Sequence, residues 1–176
     1  QRLIEFGLAT QEQVDSVLPK IHTSTVLRDS VADADVVIEA VYEDLELKQR
    51  IFQELDDLCP EHTILASSTS TIVPSKLAPA TRRPDKVLVA HFTGPAYLSP
   101  LVEVVKSEAT SDDTAITIYD LLTKVGKRPA MLQKEAIGFI ANRLQAALVR
   151  EALPIVQKGI ASPQDVDTVI KNGGAR

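Results

Sequence analysis

The sequence has 176 residues, of which 44% are hydrophobic and 24% charged, and its formal net charge is -5 at pH 7. That length suffices for one substantial domain and a short second element, with a core that needs no disulfides. Interspersed acidic and basic residues argue against nucleic acid or an anionic membrane as the main partner. No apolar run is long enough to cross a bilayer, and Cys59 is the single cysteine. We therefore expect a cytoplasmic protein without an internal disulfide.

Short apolar runs alternate with amphipathic segments along most of the chain. In chain order we predict a helix over 11–20 capped by Thr10, a strand over 36–38, a helix over 45–58, a strand over 63–66, a short helix from Pro74, strands over 87–90 and 101–105, a helix over 112–125, an apolar segment over 130–132, a long helix over 138–157, and a last helix opened by Ser162 and Pro163. This alternation indicates an α/β fold with a mainly parallel, doubly wound sheet over 1–133. The remaining residues, 134–176, indicate the start of an all-helical domain.

Polar residues that follow the strands are the first candidates for function. Ligands of open α/β sheets lie outside the carboxyl ends of the strands, where we place Glu39, Glu43, Ser67–Ser70, His91 and Glu103. A histidine can accept a hydroxyl proton near neutral pH, and a nearby carboxylate can orient it. Glu103 is the lone charge in an apolar strand, and burying it would be costly unless it pairs with His91. The spacing leaves an alternative open, in which Glu103 lies on an edge strand and faces water while His91 forms its hydrogen bonds with the backbone.

The other polar candidates are weaker by spacing alone. The hydroxyl cluster Ser67–Ser70 could bind a substrate oxygen or a cofactor, although such clusters also mark ordinary loops. Asn142 could bind a carbonyl or lie on the surface of a helix. Glu43 and Lys48 flank the start of a helix, and their spacing favours a solvated, charge-paired helix end. The histidines and the cysteine have no metal-ligand spacing, so we expect no metal.

Five segments, taken together and in order, resemble one family. They are VIEAVYEDLELK, LASSTSTIVPSKL, VAHFTGPAYLSPLVEVV, QKEAIGFIANRLQ and EALPIVQKGIASPQDVD, and they are similar to the 3-hydroxyacyl-CoA dehydrogenase family from about residue 30 onward. Within it, STSTIVPSKL and QKE resemble the branch of lambda-crystallin, an L-gulonate 3-dehydrogenase. The resemblance implies a Rossmann-type NAD-binding domain and a helical substrate and dimerisation domain. It also implies NAD as cofactor, a small-molecule 3-hydroxy substrate and a homodimer when the protein is complete.

The resemblance implies a role for each site residue. His91 would remove the hydroxyl proton, and Glu103 would hold its tautomer and stabilise the imidazolium. Ser70 would contact the substrate oxygen and the nicotinamide region, and Asn142 would bind the reacting end of the substrate. The positions that would touch the nicotinamide side of NAD are Glu43 and Lys48.

The sequence departs from the family pattern at several places. None of its seven glycines forms a GxGxxG loop, whose backbone amides bind the pyrophosphate. We therefore expect a fragment that lacks part of the NAD-binding domain and of the helical domain, binds NAD poorly and is inactive alone. Ser68 stands where the acyl-CoA enzymes have asparagine, and Thr93-Gly94 replaces their Phe-Asn/Ser pair.

Three functions remain open at this point. The leading expectation is hydride transfer from a 3-hydroxyacyl-CoA, such as 3-hydroxybutyryl-CoA, to NAD. The second is a dehydrogenase of L-gulonate, carnitine or a related hydroxy acid, because of the departures at Ser68 and Thr93-Gly94. The third is a non-catalytic, crystallin-like structural protein.

Overall fold

The computed structural model describes residues 2–173 and divides the chain into two compact units. The first unit ends at Ile137 and the second begins at Gly138, slightly beyond the boundary at 133/134 that we predicted. The segment between these positions stays with the first unit, where Oε2 of Glu135 accepts a hydrogen bond from the backbone N–H of Ser75 at 3.0 Å. This hydrogen bond ties the segment around Glu135 to the first unit.

The elements of the described residues follow the predicted alternation. They are α1 (Arg2–Glu5), α2 (Gln11–Val17), α3 (Leu27–Val31), β1 (Val36–Glu39), α4 (Leu45–Leu58), β2 (Ile64–Ser67), α5 (Pro74–Leu77), β3 (Val87–Phe92), β4 (Leu101–Val105), α6 (Asp112–Lys124), β5 (Arg128–Leu132), α7 (Ala141–Gln157) and α8 (Pro163–Asn172), with 3₁₀ turns at Leu18–Lys20, Ala78–Ala80 and Pro84–Lys86. The α/β class is confirmed. No helix within residues 2–173 combines the length and apolar character needed to span a membrane.

The sheet contains five strands in the order β1-β2-β3-β4-β5. The first three are parallel, β4 runs antiparallel to β3, and β5 runs parallel to β4. A parallel pair needs a crossover of about a dozen residues or more, and the connection over 93–100 is shorter than that. This short connection reverses the chain, so the sheet is mixed.

Helix α4 begins and ends where the sequence predicted, but its buried face is rotated. The sequence places Leu47, Ile51, Leu55 and Leu58 at helical spacing, whereas the buried residues are Lys48, Phe52, Leu55 and Asp56. The face includes two charged side chains because each has a partner that compensates its desolvation. Asp56 Oδ1, for example, lies 2.7 Å from Nε of Arg83.

The core occupies both faces of the sheet. Alternate residues of β2 point to opposite faces: Leu65 packs with Phe52 and Leu55, whereas Ala66 packs with Ile118 on the other face. Cys59 lies in the first of these clusters. Burial raises the pKa of its thiol, and the charge of Arg83 offsets this only in part, in keeping with a structural role for this cysteine.

Two of the element boundaries that differ from our predictions lie beside candidate site residues. Strand β3 continues through His91 to Phe92 instead of ending at Ala90, because the pairing with β4 extends to these residues. Helix α7 begins at Ala141 instead of Gly138. Both Gly138 and Phe139 have positive φ angles, of 77° and 47°, which a right-handed helix does not contain.

We expect Phe52→Ala to lower the free energy of unfolding by about 3–5 kcal/mol, since it removes a fully buried ring and leaves a cavity. Urea denaturation measures this loss. The matched control is Tyr42→Ala at an aromatic residue that is 88% exposed, where the change should stay within about 0.5 kcal/mol. Equal losses in the two variants would contradict the assignment of the core.

Candidate active site

His91 and Glu103 form a buried pair on neighbouring strands. They lie directly opposite each other in the antiparallel ladder of β3 and β4, and Nδ1 of His91 is 2.8 Å from Oε2 of Glu103. Their side chains are only 6% and 1% exposed. Because β4 lies between β3 and β5, Glu103 is not on an edge strand. The alternative of a water-facing glutamate is therefore wrong.

The geometry of this pair selects one form of the imidazole. A carboxylate accepts a hydrogen bond, so Nδ1 of His91 carries the proton and donates to Glu103. In the neutral ring Nε2 then has the lone pair, which makes it the proton acceptor. Glu103 also favours the imidazolium that would form after proton transfer, since the two charges would be adjacent and poorly solvated. The arrangement suits general base chemistry.

Glu39 and Lys48 form a second buried pair, at the carboxyl end of β1. Nζ of Lys48 lies 2.8 Å from Oε1 of Glu39, and both side chains are 1% exposed. The other oxygen of Glu39 accepts a hydrogen bond of 2.6 Å from the hydroxyl of Ser67, the last residue of β2. The interpretation of Lys48 as a solvated charge at a helix end is therefore wrong.

Glu43 lies beside this pair and accepts hydrogen bonds from the loop that follows β2. Its Oε1 accepts from the hydroxyl of Thr69, and from the hydroxyl and the N–H of Thr71 at 2.8 and 3.1 Å. Its Oε2 is 3.6 Å from Nζ of Lys48. Burial raises the pKa of Glu43, but the hydrogen bonds from Thr69 and Thr71 and the charge of Lys48 outweigh it, and the net pKa is lowered.

The remaining predicted residues lie in different parts of the chain. Ser70 is in the loop between β2 and α5, and its backbone N–H donates to Oε1 of Glu43 at 3.2 Å. Asn142 is half-buried in the first turn of α7, which belongs to the second unit. The structure thus brings Ser70, Glu43 and Lys48 together in one cluster.

The connection between β3 and β4 is fastened close to His91. Oγ of Thr93 lies 2.5 Å from Oγ of Ser99 and donates to the carbonyl of Leu101 at 3.1 Å. The ammonium of Lys127 donates to the carbonyl oxygens of Ala96 and Ser99, the latter at 3.0 Å. This polar frame fixes the segment that follows the candidate base.

Sequence reasoning missed several of these contacts. Glu39 was noted as a polar residue at a strand end, but no partner was assigned to it. Lys48 could have been paired with it, because a lysine in the register of Phe52 and Leu55 faces the core. No local signal pointed to Lys127, whose acceptors are carbonyls distant in sequence.

The lowered pKa of Glu43 predicts a pH-dependent stability. Since the folded-state pKa lies below the ordinary value of 4.5, Glu43 contributes stability above pH 4.5 that is lost as the pH falls through the folded-state value. Urea denaturation of the unmodified protein and of Glu43→Gln should therefore give a stability difference that shrinks as the pH is lowered from neutral to below 4.5. A difference that stays constant would contradict the hydrogen-bonded, ionised carboxylate.

Comparison with protein families gives two adjoining matches. Residues 1–136 match the family described as 3-hydroxyacyl-CoA dehydrogenase, NAD binding domain, and residues 138–176 match the 3-hydroxyacyl-CoA dehydrogenase C-terminal domain. Together the two matches cover nearly the whole chain.

Relatives and solved structures agree with these matches. The chain is 39% identical to a probable 3-hydroxybutyryl-CoA dehydrogenase of Bacillus subtilis, over 96% of this chain and 58% of the relative. It is 40% identical to the lambda-crystallin homolog of Homo sapiens, over 91% and 50%. The crystal structure of (S)-3-hydroxybutyryl-CoA dehydrogenase from Ralstonia eutropha superposes with a TM-score of 0.87 at 35% identity, over 99% and 61%.

The chain spans about half the length of the curated relatives it matches. The family resemblance seen in the sequence is confirmed: this chain belongs to the 3-hydroxyacyl-CoA dehydrogenase family.

Proposed function

We propose that the protein is an NAD-dependent dehydrogenase that oxidises the 3-hydroxy group of a short 3-hydroxyacyl-CoA, such as 3-hydroxybutyryl-CoA, to a ketone. The observation that carries this proposal is the buried hydrogen bond of 2.8 Å between His91 and Glu103. It stands near the carboxyl end of β3, at the edge of the sheet where ligands of doubly wound folds bind. Family membership supplies the reaction class.

In this proposal His91 is the catalytic base. Its Nε2 takes the proton of the substrate hydroxyl, while Nδ1 stays bound to Glu103. The carboxylate of Glu103 stabilises the imidazolium and keeps the ring in the orientation that presents Nε2. NAD, when bound, supplies the acceptor for the hydride that leaves the same carbon.

The residues around Glu43 fit the nicotinamide part of NAD. A nicotinamide amide offers N–H donors and a carbonyl acceptor, and the carboxylate of Glu43, 41% exposed, can accept such donors. Lys48 lies next to it, 3.6 Å from Oε2 of Glu43 and 2.8 Å from Oε1 of Glu39, and holds the two carboxylates in place. Ser70, held to Glu43 through its backbone, would contact both cofactor and substrate oxygen, and Asn142 would bind the reacting end of the substrate.

We expect His91→Gln to lower the turnover number by about 10²–10⁴-fold, because glutamine cannot accept the proton. The affinity for NADH, measured by fluorescence titration, should change little. The matched control is His62→Gln at an exposed histidine whose Nε2 lies 3.0 Å from Oδ1 of Asp35, and it should retain activity. Full activity of His91→Gln would show that another group is the base.

A second substrate class is favoured by the residues around the base. Ser68 and Thr93-Gly94 depart from the residues of the acyl-CoA enzymes, and Thr93 places a hydroxyl in the connection after His91, next to Ser99. These small polar groups suit a hydroxy acid such as L-gulonate or carnitine, which brings more hydrogen-bonding groups than an acyl chain.

Parallel assays separate the substrate classes. We expect the largest kcat/KM with 3-hydroxybutyryl-CoA. A larger value with L-gulonate or carnitine would show that the substrate is a hydroxy acid. Absence of turnover with all three by a full-length protein that binds NADH would favour the non-catalytic, crystallin-like role. His91→Gln serves as the background control in each assay.

We also propose a cytoplasmic homodimer. Helix α7 carries exposed apolar side chains at helical spacing, among them Leu144, Leu148 and Val149, which favour burial against another surface. The single cysteine, Cys59, is buried in the core, which suits a reducing compartment. Sedimentation of the full-length protein measures its oligomeric state.

A further inference from the structure

The carboxylate of Glu39 connects three parts of the first unit. It accepts hydrogen bonds from Nζ of Lys48 on α4 at 2.8 Å, from the hydroxyl of Ser67 at the end of β2 at 2.6 Å, and from the backbone N–H of Val41 at 2.6 Å. Its side chain is 1% exposed. All of these donors converge at the carboxyl edge of the sheet, where β1 meets α4.

This arrangement explains how a lysine can be buried at this position. An ammonium group without solvent is costly unless a counter-ion and hydrogen-bond acceptors replace the water. Lys48 has Glu39 as its close counter-ion and donates in addition to the carbonyl of Val41 at 3.2 Å. Glu43 is the more distant partner, at 3.6 Å.

The two carboxylates beside Lys48 thus have different tasks. Glu39 is enclosed and holds the closer contact to the ammonium, whereas Glu43 is 41% exposed and accepts from the loop at Thr69 and Thr71. If Glu39 lost its charge, Lys48 would turn to the remaining carboxylate. Glu43 would then be drawn away from the loop and from any ligand at its exposed side.

We infer that Glu39 is a positioning residue of the cofactor site: it binds the ammonium of Lys48 and thereby keeps the carboxylate of Glu43 directed to the nicotinamide part of NAD. This inference rests on the proposed function, in which Glu43 and Lys48 bind that part of the cofactor. Glu39 itself is enclosed by protein and acts through these two side chains.

The test compares Glu39→Gln with Asp56→Asn in the full-length protein. Asp56 is a matched control because it is a buried carboxylate of the same unit, paired with Arg83 at 2.7 Å on a different part of α4. Both variants remove one buried negative charge, and both should lower the thermal stability. Only Glu39→Gln should raise the Kd for NADH, by about tenfold, as for the loss of one charge-assisted contact.

The split between binding and turnover distinguishes positioning from a general loss of structure. At saturating NADH the turnover number of Glu39→Gln should fall far less than that of His91→Gln, because His91 and Glu103 are untouched. Glu39→Asp keeps the charge and should recover part of the affinity. An unchanged Kd in Glu39→Gln, or an equal rise in Asp56→Asn, would overturn the inference.

A titration without cofactor gives an independent readout. In Glu39→Gln the pKa of Glu43, followed by carboxyl ¹³C NMR, should fall further, since Lys48 turns to it and a neighbouring negative charge is removed. Asp56→Asn should leave it unchanged, and a fall of equal size in both variants would contradict the positioning role. Failure of the unmodified protein to bind NADH would overturn the proposed function and the cofactor part of the inference. In that case the titration would still test whether Glu39 holds the ammonium of Lys48 away from Glu43.

Discussion

The antiparallel pairing of β3 with β4 brings Glu103 opposite His91, and the candidate active site depends on it. The short connection over 93–100 turns the chain back, so a carboxylate from the next strand reaches the imidazole within the same sheet. A register slip of one residue would send Glu103 to the other face of the sheet. There it would be a buried charge without its partner, at a cost of several kcal/mol. The pairing therefore serves stability and chemistry together.

The two buried pairs share one arrangement but suit different purposes. In each, a strand carboxylate is buried away from water and paired with one basic side chain: Glu103 with His91 and Glu39 with Lys48. The first pair contains an imidazole, which can take up and release a proton during a reaction. The second joins a carboxylate and an ammonium that are both enclosed by protein, and this makes it suited to holding geometry.

Sequence reasoning succeeded where local signals agreed with the tertiary environment. The strand over 101–105 and the helix over 45–58 were predicted with their observed bounds, since Pro100 precedes the apolar strand and the helix carries a strong periodic pattern. The exposure of Lys48 was predicted wrongly by spacing, because its burial depends on Glu39 from another element. The extension of β3 to Phe92 was missed for a related reason: it is fixed by pairing with β4. Non-local partners thus account for these two errors.

The hydrogen bonds from Lys127 hold the connection over 93–100 through main-chain atoms, so the side chains of this connection can change during evolution. Lys127 donates to the main-chain carbonyls of Ala96 and Ser99, and the N–H of Arg128 donates to the carbonyl of Pro100. Carbonyl acceptors are present whatever side chain a residue carries. Side chains beside the candidate base can therefore be exchanged while these hydrogen bonds persist. Proteins of this fold could in this way change their substrate while the strands stay the same.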